Sequence, residues 1–87
     1  MSKQRTITTP ADIGEVVAAV RIAQGIRADE LSLSHVFVGS VEKGKETSQI
    51  GKVLQLLNEL GIAVTLEAPP GVTLPTDAKS RRKRISR

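Results

Sequence analysis

The 87-residue chain contains no cysteine, tryptophan or tyrosine, one phenylalanine, Phe37, and one histidine, His35. Without cysteine there is neither a disulfide nor a thiolate metal site, which fits a reducing cytoplasm. One ring is too few for stacking recognition of RNA or single strands, whereas a helix that reads a DNA groove needs none. No apolar run approaches the roughly 18 residues of a membrane span. The opening "MSKQRTITTP" also lacks the hydrophobic centre of a signal peptide. A soluble, intracellular protein with no membrane partner is expected. A lone histidine, with no glycine-rich phosphate loop and no metal-ligand spacing, leaves no nucleophile and base to pair. Neither an enzyme nor a cofactor is therefore expected.

Positive charge, by contrast, is in excess: 13 Lys and Arg against 9 Asp and Glu give a formal charge of +4. Much of it sits in "KSRRKRISR", residues 79–87, so the bias toward an anionic partner is concentrated at one end. A chain this short buries little surface, which points to one domain that gains stability from a second chain.

Hydrophobic periodicity organises the middle of the chain. Thr9 can cap a first helix, Pro10 suits its first position and Asp12 faces its positive end. Ile13, Val16, Val17 and Val20 then repeat at helical spacing, and Gly25 ends the element. The next stretch, "IRADELSL", offers only Ile26, Leu31 and Leu33 to a core, enough for a helix of one or two turns. Ser34 caps a third helix with Val38 and Val41 inward and Phe37 beside them. Gly39 lies inside it, and Gly44 stops it. A fourth helix is predicted from Thr47 or Ser48, burying Ile50, Val53, Leu54, Leu57 and Leu60 and ending at Gly61. Beyond it "IAVTLE" alternates, with Ile62, Val64 and Leu66 on one side, as in a half-buried strand. A single strand leaves its backbone groups unpaired, so this one is expected to pair with its own copy across a two-fold axis. The predicted organisation is a flexible segment 1–8, a domain 9–67 with a dimerisation strand 62–67, and a disordered basic tail 68–87.

The stretch "VEKGKETSQIGKVLQLLNELGI", residues 41–62, with Arg21, Gly25 and "SHVFVGS", resembles the Cro/repressor-type (XRE) helix-turn-helix family. Within it the closest likeness is to the HipB-type antitoxins. The resemblance spans roughly residues 11–67 and implies an all-α, lambda-repressor-like fold of four to five short helices, joined here by the one C-terminal strand. It implies that Arg21 pairs with Glu42, a bidentate contact that would fix the first helix against the end of the third. It places base contacts on His35, Val36 and Ser40, and phosphate contacts on Ser34 and on the backbone around Lys43 and Lys45. His35 and Ser40 can hydrogen-bond base edges and Val36 can touch a thymine methyl, so modest specificity per half-site is expected. The chain also departs from the family. Between Leu31 and Phe37 it is shorter by about four residues, close to one helical turn. Ala28 stands where a glutamine usually opens the second helix, and Arg27 beside it could supply the phosphate contact as a charge.

Two functions remain open on these grounds. The first is a homodimeric repressor in the cytoplasm, associated with the nucleoid, that binds a palindromic double-stranded operator. It would be the antitoxin of a toxin-antitoxin operon whose partner is a kinase-type toxin of the HipA kind. The second keeps the toxin-sequestering role and drops specific DNA binding.

Overall fold

The computed structural model describes residues 4–75; residues 1–3 and 76–87, which include the basic run 79–87, lie outside the described residues. Three helices make the fold: α1 (Pro10–Ala23), α2 (His35–Glu42) and α3 (Ile50–Glu59), with a single 3-10 turn, Ala28–Glu30, between the first two. α1 and α2 begin, and all three end, for local reasons. At α1 the Thr9 hydroxyl accepts from the Asp12 amide at 3.2 Å, while the Asp12 carboxylate accepts from the Thr9 amide at 3.1 Å, a reciprocal cap behind Pro10. The same carboxylate takes the Thr8 amide and hydroxyl at 2.9 and 3.1 Å and Arg5 at 2.9 Å. At α2 the Ser34 hydroxyl oxygen accepts from Val36 and Phe37. All three helices close alike: the amide of Gly25, Gly44 or Gly61 reaches back to the helix, and the next amide bonds one residue deeper, to Arg21, Ser40 or Leu57.

Side chains from every helix meet in one core of Val17, Val38, Val41, Val53, Leu56, Leu57 and Leu60. Ile13, Val20, Ile26, Leu31, Leu33, Phe37 and Ile62 pack around it, so the short second segment contributes its leucines without being a helix. Gly14 sets the α1–α2 distance. A Cβ there would stand 2.7 Å from the Glu42 carbonyl oxygen and closer still to that of Val41. Farther along the same contact, a Cβ on Gly44 would lie 2.9 Å from the Ala11 Cα. Gly44 also has φ 84°, so it closes α2 where a side chain would be excluded twice over.

The architecture corrects the expected four to five helices with a C-terminal strand. Among the described residues there are three α-helices and no β-strand. Residues 62–69 have no regular structure; Ile62 tucks under the α3 cap, whereas Val64 and Leu66 both stand exposed, Leu66 at 85 %. Period-two alternation is a local property, and a strand needs a neighbour for its hydrogen bonds, which the described residues do not supply. The second helix contracts to one turn because a single turn gains little hydrogen bonding for the residues it fixes, and Leu31 is already extended. α3 begins at Ile50, after Gln49, later than Thr47 or Ser48. Its buried column is Val53, Leu56, Leu57 and Leu60, so Ile50 and Leu54 face outward at 67 % and 45 % exposure.

Candidate nucleic-acid interface

α2 carries most of the residues expected to touch DNA. Val38 and Val41 are buried beneath it, which turns Val36, Gly39, Ser40 and Lys43 outward along one stripe at positions i, i+3, i+4 and i+7, with His35 at its start. Val36 is exposed and its side chain ends in methyl groups only. Ser40 donates its hydroxyl proton to the Val36 carbonyl at 3.0 Å, which leaves its oxygen lone pairs as the groups it can offer. Ser34 accepts two amides with the same oxygen, so its own proton remains to be donated. Gly39 faces open space: a Cβ there would meet nothing within 4 Å.

The only carboxylate of α2 is held away from this stripe. Glu42 receives the Arg21 guanidinium through two bonds, Nε to Oε2 at 2.6 Å and Nη2 to Oε1 at 3.1 Å, with side-chain exposures of 18 % and 17 %. The third nitrogen, Nη1, donates to the Ile26 carbonyl at 3.0 Å, so one arginine joins α1, the segment after it and the end of α2. The hydrogen bond to Glu42 raises the Arg21 pKa against the opposing effect of burial, so the arginine stays charged. A planar fork on a planar carboxylate fixes angle as well as distance, and this sets how α2 lies across α1.

Lys43 and Lys45 flank Gly44 at the end of α2, exposed and with no carboxylate partner among the described residues. Arg27 is placed differently. Its Nη2 and Nε grip the Asp29 carboxylate at 2.7 and 3.2 Å, which raises the arginine pKa and lowers that of Asp29. Arg27, Asp29, Ala28, Arg21 and His35 line an open hollow of about 330 Å³ at the amino end of α2. His35 and Arg27 thus share one neighbourhood with a carboxylate that competes for the arginine. Ile62, Val64 and Leu66 follow α3 and lie outside α2 altogether.

Several contacts escaped the sequence reading. Asp29 stands two residues from Arg27, and that local spacing was a readable signal. Gly14 had a weaker one, a glycine inside an otherwise regular helix. Glu59, at the end of α3, accepts the Ser32 amide at 2.9 Å and its hydroxyl at 2.8 Å, and the sequence carries no signal for a contact spanning 27 residues.

No family model matches the chain, and no solved structure matches it. It is similar to the uncharacterized HTH-type transcriptional regulator y4mF of Sinorhizobium fredii, with 46% identity over 69 residues that cover 75% of this chain and 91% of that protein. At that identity and coverage, with α2 standing capped and outward on a three-helix core, the chain belongs to the HTH-type transcriptional regulators, DNA-binding proteins and not enzymes.

Proposed function

We propose that this regulator represses its own operon as a homodimer, with α2 as the reading helix in the major groove. The observation that carries this reading is the outer stripe of α2. It is free of unpaired negative charge because Glu42 is turned into α1, and it ends at two exposed lysines. His35, Val36 and Ser40 would meet base edges, and Ser34, Lys43 and Lys45 would meet phosphates. Arg27 would join them on releasing Asp29. A two-fold dimer would set two such helices about 34 Å apart, one turn of DNA, and so select a palindrome. The exposed Ile50 and Leu54 on α3 are the apolar side chains that a second copy would cover. The likeness of residues 41–62 to HipB-type antitoxins adds a kinase-type toxin of the HipA kind as the partner, and the cytoplasmic nucleoid as the place of action.

Gel-shift titration of the full chain against its own upstream region, compared with a scrambled duplex of equal length, tests the repressor role. Preferential retardation of the upstream duplex is the expected result, and equal retardation of both overturns it. A second reading, a toxin-sequestering module with little specific DNA binding, is favoured by one observation. The helix that would brace α2 is a single turn, and its arginine is engaged by Asp29. Co-purification of a kinase-type protein with no operator footprint would select that reading.

A further inference from the structure

We infer that Glu59 is the positioning residue for the first turn of α2, taking over the bracing that a full second helix would give. After the 3-10 turn the chain bends through residues 31–33. Leu31 has ψ 161° and Ser34 ψ 140°, and Leu31 and Leu33 dip into the core while Ser32 between them faces away from it. The two leucines hold this connector on its inner side only, and it delivers Ser34, whose hydroxyl caps α2 two residues later. Glu59 grips it at Ser32 with both carboxylate oxygens, one on the amide and one on the hydroxyl, and so fixes the orientation of that peptide as well as its position.

The platform behind Glu59 is itself anchored. The adjoining Leu60 is buried in the core, and its carbonyl accepts at 3.0 Å from the side chain of Gln24, which caps the end of α1. α2 is therefore held at its carboxyl end to α1 through Arg21 and Glu42, and at its amino end to α3 through Ser32 and Glu59. The second fork is exposed, so its contribution to global stability is small. Its effect is on where His35 and Val36 sit, and the consequence for DNA rests on the reading proposed above.

The test separates local order from stability and from DNA binding. In the full-length protein, Glu59→Ala should speed amide exchange at Val36 and Phe37 by roughly tenfold, the scale of one lost hydrogen bond to a charged acceptor. Exchange at Leu57 and Leu60 and the melting temperature should stay close to wild type. Glu59→Gln keeps an acceptor for the Ser32 amide and adds a donor for its hydroxyl, so it should restore slow exchange. With a duplex of the upstream region and a scrambled duplex as probes, Glu59→Ala should lower the ratio of specific to non-specific affinity by roughly tenfold and Glu59→Gln should recover it. Unchanged exchange at Val36 and Phe37 in Glu59→Ala, or failure of Glu59→Gln to rescue it, overturns the inference. If the wild-type protein shows no preference between the duplexes, the repressor reading fails while the exchange result still decides the role of Glu59.

Discussion

Gly39→Ala is expected to stabilise the free protein and weaken its complex with DNA. A glycine inside a helix costs about 1 kcal/mol relative to alanine. The added methyl would meet nothing within 4 Å, so no clash offsets the gain. For a domain of this size, about 1 kcal/mol raises the melting temperature by roughly 4–8 °C. The outer stripe of α2 passes through Gly39 between Val36 and Ser40. A methyl there pushes the helix away from the base edges, and losing the fit to one base pair costs about 1–3 kcal/mol. Affinity for the upstream duplex should therefore fall by between about fivefold and about 140-fold, on the rule of about 1.4 kcal/mol per factor of ten. Thermal melts and gel-shift titration at fixed salt measure both halves. Gly51→Ala is the control: that position, in the first turn of α3, is also open, and it should leave DNA affinity unchanged. A stabilised Gly39→Ala protein that binds the upstream duplex as tightly as wild type would refute the argument that this face enters the groove.

Four further expectations follow from the geometry. Gly14→Ala should destabilise by about 2–3 kcal/mol, because the new methyl must displace two backbone carbonyls of α2; urea denaturation reads this, and a wild-type midpoint would contradict the close α1–α2 contact. Arg21→Ala and Glu42→Ala should each lose about 1–3 kcal/mol, and the double variant should lose clearly less than their sum; strict additivity in the cycle would mean that the fork contributes nothing. The Asp12 carboxyl ionises below its ordinary 3.8, chiefly because the Thr8 amide bonds it, so its contribution to α1 is full well above that value and is lost as pH falls through the lowered pKa; the stability gap between wild type and Asp12→Asn should narrow as pH falls below 3.8 and close only below the lowered pKa, and a constant gap would contradict the cap. Truncation after Asp77 removes six positive charges, and if the tail meets phosphates the log-log salt slope of DNA binding should flatten by about 0.9 for each phosphate no longer neutralised; an unchanged slope rules out a DNA anchor.

The contrast between α1 and α3 shows which physical information a single sequence holds. The ends of α1 and α2 and the glycine stops were readable because capping involves residues within three or four positions of one another: Thr9 with Asp12, Ser34 with Val36 and Phe37, Gly44 with Val41. The buried column of α3 was half readable. Ile50, Val53, Leu54, Leu56, Leu57 and Leu60 cover more than one side of the helix, and only packing selects the column with Leu56 and leaves Ile50 and Leu54 outside. The strand failed for a stronger reason, since alternation can be written into one segment but pairing cannot. The site divides the same way. Val36, Ser40 and Lys43 fall on one accessible side as soon as α2 and its buried valines are known, with Ser34 and His35 at the amino end of the helix. The residues that orient that side, Gly14 beneath α2 and Glu59 beside its approach, depend on which elements meet. The single 3-10 turn before α2 therefore does not by itself decide how α2 is held: the segment that follows it is gripped by a carboxylate 27 residues away, and only the folded chain brings the two together.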